Sequence, residues 1–215
     1  MSDGGTELSR LADSPYAELA SPDRVAAVAQ ALEKNGVRTF VVERGADAKT
    51  LVESLLDDGA EVFNNTSRTL ETIGVADEIE RAGRYEPLRL RLYQMDREMQ
   101  AREMRTIAAS PEFIVGSVHA VTDEGALLIA SASGSQLGPI VSGAGHVILV
   151  IGGQKIVTDV DEGMRRIYEY SFPLEDERAR RVLGVPSGVN NVLIINRVTV
   201  PGRITAILVN ESLGF

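Results

Sequence analysis

The chain contains no cysteine and no tryptophan. Without thiolates it forms no disulfide, builds no thiolate zinc site and carries no cysteine-ligated iron–sulfur cluster of its own. Its two histidines, His119 and His146, stand apart in the sequence with no ligand pattern around either, so no metal site is expected. Positive charge is scarce: 22 Lys and Arg stand against 31 Asp and Glu, a formal net charge of -9. That balance argues against tracking a phosphate backbone, and no nucleic-acid partner is expected. Long apolar runs are missing too. No stretch approaches the roughly 20 residues needed to span a bilayer, so no membrane partner is expected. The opening MSDGGTELSRLADSPYAELA has neither the basic start nor the apolar centre of a secretory signal, and a cytoplasmic location follows as the default expectation.

What is present is enough for one compact domain: 215 residues can bury a sizeable core. Residues 1–21 are expected to form a flexible arm, and residues 22–215 a single α/β domain. Ser21-Pro22-Asp23 is a helix start, with Val25, Val28, Ala29 and Leu32 forming one apolar stripe and Gly36 ending it. VRTFVVE (37–43) reads as a strand, GADAKTLVESLLDD as a second amphipathic helix and AEVFNN (60–65) as a second strand, an α-β-α-β alternation. A long helix is expected from Leu88 to Ala109, with Leu88, Leu92, Met95 and Met99 on its inner face and the methionines as core filler. Beyond Pro111 the runs FIVGSVHAV, ALLIASA and HVILVIGG look like central strands of one sheet. Two helices then follow (Asp159 to Phe172, and PLEDERARRVLG), before the closing strands VLIINR and RITAILVNE.

Three stretches carry candidate chemistry. The first, FNNTSRTLETIG, ends a strand in two amides and opens a helix with Thr, Ser and Arg. It gathers Asn64, Asn65, Thr66, Ser67 and Arg68 where an anion or carboxylate is favoured, beyond what an ordinary cap explains. The second is the glycine-rich loop between Ser131 and His146. It matches neither dinucleotide nor P-loop spacing: Ile148 stands where a third glycine belongs, and Gly153-Gln154-Lys155 runs on into Ile156. Gly138 and Pro139 there suit a short helical turn, which leaves the loop either an anion cradle built on Gly134, Ser135, Gln136 and Gly138 or a structural crossover. The third is Thr122-Asp123-Glu124-Gly125, a hairpin turn unless it opens onto a cleft, where Glu124 would be placed for nucleophilic or acid–base work. A plain hairpin would put that turn and the glycine-rich loop at opposite ends. His119, His146, Asn190, Asn191, Asn196 and Arg203 are read first as structural.

At SRTLETIG, then VHAVTDEGALLIASASGSQ, then GAGHVILVIGGQKIVTDVDEGMRRI, the chain resembles the LUD family, whose named members are lactate-utilisation proteins of the C type. The resemblance covers roughly residues 60 to 215, and its specificity lies in the ordered combination. It implies a Rossmann-like open sheet with flanking helices, related to the sugar-phosphate isomerase and CoA-transferase-like group, with ligands near the strand ends. It implies a small anionic metabolite as ligand and an accessory part in oxidising L-lactate to pyruvate. The cofactor would be an iron–sulfur cluster in a partner protein, with none in this chain, and homo-oligomerisation is left open. The alternative is a self-sufficient enzyme of CoA-transferase or sugar-phosphate isomerase type using Glu124, which would stand near the acidic residue of the family's acidic-Thr-Gly turn. Here that turn is Asp123-Glu124-Gly125.

Overall fold

A computed structural model describes residue 11 and residues 13–215. Ten strands follow in chain order: β1 (Arg38–Val42), β2 (Glu61–Asn64), β3 (Glu86–Pro87), β4 (Phe113–Gly116), β5 (Ala120–Thr122), β6 (Leu127–Ser131), β7 (His146–Gly152), β8 (Ile156–Val157), β9 (Asn191–Ile195) and β10 (Ile204–Val209). The α-helices are α1 (Pro22–Lys34), α2 (Gly45–Leu55), α3 (Arg68–Thr72), α4 (Val75–Arg81), α5 (Leu88–Gln94), α6 (Ala101–Ala109), α7 (Val160–Arg166) and α8 (Phe172–Leu183).

Six strands form an open, all-parallel sheet in the order β1-β10-β7-β4-β2-β3. Both faces are covered by apolar side chains, as the period of two requires. Along β7, Val147, Leu149 and Ile151 enter one core with Val25, Val28 and Leu32 of α1, while Ile148 and Val150 enter another with Ala48 and Val52 of α2. Strand β10 divides the same way, Ile204, Ala206 and Leu208 to one side and Ile207 and Val209 to the other. The start of α1 follows its sequence: Ser21 Oγ accepts from Arg24 N at 3.3 Å, Pro22 leads the helix, and Gly36 leaves it at φ 85°.

A second, smaller sheet has the order β8-β5-β6-β9, with β5 parallel to β8 and β6 antiparallel to both β5 and β9. FIVGSVHAV, expected as one strand, is therefore divided. β4 belongs to the large sheet and β5 to the small one, and Ser117-Val118-His119 makes the step between them. Nor do the runs 114–121, 126–131 and 146–152 share one sheet, because β6 pairs only with β5 and β9.

Two further expectations change. The long helix from Leu88 to Ala109 is broken at Met95–Gln100, where Asp96 Oδ1 accepts from the backbone N–H of Glu98 (2.8 Å) and Met99 (2.9 Å) and the Gln100 side chain accepts from Asp96 N at 3.0 Å. An aspartate that satisfies local backbone in this way competes with helix continuation. Met99, expected in the core, is 85% exposed as a result. Of the arm expected over residues 1–21, residues 1–10 and 12 lie outside the described residues. The stretch from Ser14 on is docked: Ser14 caps a turn at Pro15–Ala17, and the Tyr16 ring lies 6.3 Å from that of Tyr170. No helix among the described residues is long and apolar enough to cross a membrane.

Candidate functional site

The C-terminal ends of β2, β4 and β7 all point to one side of the large sheet, the side on which open α/β sheets bind their ligands. Each parallel strand there delivers its next residues into a cleft of about 740 Å³. From β2 come Asn64 to Thr69, from β4 Ser117 to His119, and from β7, after a tight turn at Gly153–Lys155, Lys155. Sheet two closes the far wall with Ala130 to Ser133, followed by Ser135 and Gln136, and α8 supplies Glu175, Arg178 and Val182.

Lys155 lies at the floor, 2% exposed. Its Nζ donates to Thr69 Oγ1 (2.9 Å), Ser117 Oγ (3.0 Å) and the Val118 carbonyl (3.1 Å). Among the described residues no carboxylate pairs with it. Burial, and then the nearby Arg166 guanidinium, hold the amine well below the ordinary lysine range. Arg166 is itself fully buried, donates to the His119 carbonyl, Ser171 Oγ (3.0 Å) and the Tyr16 carbonyl (3.3 Å), and lies over the Tyr170 ring at 5.0 Å. Burial brings it down to about 10. Two buried basic groups thus face neutral oxygens and no carboxylate.

His119 is half-buried on the cleft wall, and its Nδ1 accepts from Ala130 N at 3.1 Å. That bond assigns the ring proton of the neutral form to Nε2. Burial first, then Lys155 and Arg166, push the imidazole down to about 3. The last element is an amide. Asn65 is 5% exposed, lines the cleft, and has no hydrogen-bond partner at either Oδ1 or Nδ2. An unmade pair of amide hydrogen bonds in a buried setting costs free energy, which a ligand able to engage both ends returns. Asn64 donates to Glu80 Oε1 at 2.8 Å and keeps its own Oδ1 unpartnered.

The five residues Asn64, Asn65, Thr66, Ser67 and Arg68 all line this cleft, as do Ser135 and Gln136. Ser67 caps α3, accepting from Leu70 N at 3.4 Å, and the exposed Arg68 is held by Glu71. Gly134 and Gly138 do not line it. Gly134 takes φ 77° to make a turn beside Asn191, and a Cβ on Gly138 would meet nothing within 4 Å, so crowding by a larger side chain there is not expected to close the site. Gly138 and Pro139 do open a short helical turn, a wide one over Pro139–Gly143, and Arg203 clamps it through the carbonyls of Ile140, Val141 and Ala144. The opposed pair of Glu124 and the glycine-rich loop is not formed. β5 and β6 run antiparallel, so Glu124 sits at the hairpin's outer end, exposed and against α1: its carbonyl accepts from Asn35 Nδ2 at 2.8 Å, and Arg24 pairs with Asp123. Glu124→Gln is accordingly expected to leave the response to any anion, read by thermal shift, within error of the parent. His146 is exposed, stacked on Phe113 at 4.9 Å, and Asn190 and Asn191 bind the Ala132 and Ser131 carbonyls.

Lys155, Ser117, Thr69 and Arg178 complete the cleft beyond what the sequence motifs marked, with Arg166 buried behind it on the His119 carbonyl. The available signal was compositional: Lys155 is one of three lysines, with Lys34 and Lys49, and it directly follows the most apolar strand and a Gly-Gly pair. Gly116 is as important as any polar group. A Cβ there would lie 2.5 Å from Asn65 Nδ2. Gly116→Ala is therefore expected to expel the Asn65 amide from its seat at a stability cost of about 1–3 kcal/mol, and to weaken the anion-induced thermal shift. An unchanged shift would show that Asn65 is not part of the site.

An open parallel α/β sheet with a polar cleft at its carboxyl edge places the chain among the Rossmann-like ligand-binding folds. More particularly, the model of the LUD domain matches residues 25–209, and the chain belongs to the LUD domain family. Among solved structures, it is similar to a DUF162 family protein from Deinococcus radiodurans, with a TM-score of 0.54 and 11% sequence identity over 89% of this chain and 99% of that one, a likeness of fold. None of the curated proteins matches this chain.

Proposed function

We propose that the chain binds a small organic anion, a carboxylate, on the floor of the cleft between the ends of β2, β4 and β7. The observation that carries this reading is a basic group without an acid: Lys155 on the cleft floor, and Arg166 bonded to the His119 carbonyl, are buried with no carboxylate partner, and the Asn65 amide that lines the same cleft has both ends free. Burial disfavours the charged form of a basic group until an opposite charge joins it, so an entering carboxylate is the partner this floor lacks. Asn65 Nδ2 and His119 Nε2–H are the donors that line the cleft for it.

The family and the lactate-utilisation resemblance extend the reading to an accessory component of organic-acid oxidation, L-lactate first, working beside an iron–sulfur partner that supplies the redox chemistry. The rival, a self-sufficient transferase or isomerase using Glu124, has less support because Glu124 stands outside the cleft. A thermal-shift screen against carboxylates, inorganic phosphate and CoA esters tests the reading. Carboxylates are expected to stabilise the chain, and Lys155→Met to weaken the best of them at least tenfold, about 1.4 kcal/mol. Equal responses in the variant and the parent would remove the cleft floor as the site.

A further inference from the structure

We infer that Lys155 is a covalent nucleophile, and that the anion held in the cleft is an oxo-carboxylate whose carbonyl carbon forms an imine with Lys155 Nζ. The inference rests on the carboxylate reading above and adds the carbonyl. Only three lysines occur against nineteen arginines, so a cation is normally supplied here by arginine. At the one cleft position that is buried among neutral oxygens, the chain has the group that can lose its proton and attack a carbonyl. Two of the three partners of Nζ are hydroxyls, Thr69 Oγ1 and Ser117 Oγ, and the third is a carbonyl, so no carboxylate holds the proton on the amine. Thr69 Oγ1 donates in turn to the Leu213 carbonyl at 3.0 Å, which fixes its position. Burial and the Arg166 charge favour the neutral amine.

The step balances without any redox partner. The Nζ lone pair attacks the carbonyl carbon and the carbonyl oxygen takes up a proton. The resulting carbinolamine takes a second proton on that oxygen and loses it as water. The nitrogen gives up its two protons in the course of the step, leaving a C=N bond and one water released. The carboxylate lies toward Asn65, whose seat over Gly116 is next to Ser117, one of the oxygens that hold Nζ. An imine, once protonated, draws electrons from the neighbouring carbon, so the chemistry available is proton removal or bond cleavage beside the former carbonyl.

The test is reductive trapping. The full chain is incubated with pyruvate or glyoxylate and sodium cyanoborohydride, and the modified lysine is located by peptide mapping, with Lys34 and Lys49 as internal controls. Expected is a reduced adduct, of the probe's mass less water plus two hydrogens, at least tenfold enriched on Lys155, and suppressed by excess malonate. Malonate has no ketone and reads the anion site separately by thermal shift. A malonate shift with no adduct on Lys155 overturns the imine and leaves the anion site standing. Equal labelling of the three lysines also overturns it, and neither shift nor adduct overturns both readings. Lys155→Arg, should it fold, is expected to keep the malonate shift and lose the adduct; the mapping on the parent chain decides the matter if it does not.

Discussion

Replacing Arg166 by alanine is expected to lower the unfolding free energy by about 3–5 kcal/mol, the largest effect of any single change considered for this chain. The guanidinium is where three parts of the chain meet. It donates to Tyr16 in the N-terminal turn, to the His119 carbonyl at the step between β4 and β5, and to Ser171 at the junction of α7 and α8, and its plane covers Tyr170. Alanine leaves an unfilled volume at a fully buried position, strands the acceptors and releases the N-terminal turn. Relief of a buried charge offsets part of this, since burial already lowers the Arg166 pKa and its Nε has no partner. Arg166→Met, which restores much of the volume without the charge, should therefore cost less than half as much. Urea unfolding of the three proteins measures it, and a parent-like midpoint for Arg166→Ala would show that the buried arginine organises nothing.

Acid sensitivity centred on His119 is the second large effect expected. Its folded-state value of about 3 lies below the roughly 6.5 of an unfolded histidine, so as pH falls the unfolded chain binds the proton first. The stability this site contributes is whole above about pH 6.5 and is lost progressively toward pH 3, amounting to about 2 kcal/mol by pH 5. Asp96, Asp176 and Glu162, held low by their hydrogen bonds, add their own losses only further into acid, and Lys155, also held low, adds its slope to the parent and the variants alike, so the difference between the parent and a His119 variant from pH 6.5 to 5 reads the histidine. His119→Asn, which keeps an acceptor for Ala130 N, should flatten that interval. His146→Asn, at an exposed ring, should not. Denaturant unfolding at pH 7.5 and pH 5 compares them, and parallel losses in the parent and His119→Asn would assign the acid limb elsewhere.

The parts of this fold that the sequence makes legible are those governed locally. Ser21-Pro22, Gly36 and the apolar stripe of α1 fix that helix, and the alternation in β7 and β10 marks strands buried on both faces. FNNTSR was legible as a donor cluster because a strand end, two amides and a cap fall within six residues. What escaped was governed by partners distant in sequence. Nothing local in FIVGSVHAV shows that Gly116 must stay bare under Asn65, or that the chain changes sheets directly after it. Lys155 escaped for the same reason: its three partners come from β2's end and β4's end, and its surroundings exist only once the sheet is assembled. In Met95–Gln100 the apolar spacing promised a continuous helix, and Asp96, by taking two backbone N–H groups, prevailed over it.

The sheet order also sets a timetable for the chain's birth. Among the described residues β1 has one neighbour, β10, with Arg38 opposite Thr205, and β10 in turn is the strand that joins β1 to β7. As the ribosome releases the polypeptide, the first strand therefore waits, edge unpaired, until the last has emerged. Contacts of such sequence separation close slowly, and an exposed strand edge is a template for the wrong partner. β1 answers with Arg38 at its start and a Thr39 that binds the Val37 carbonyl at 3.1 Å, features that discourage pairing with a neighbouring nascent chain.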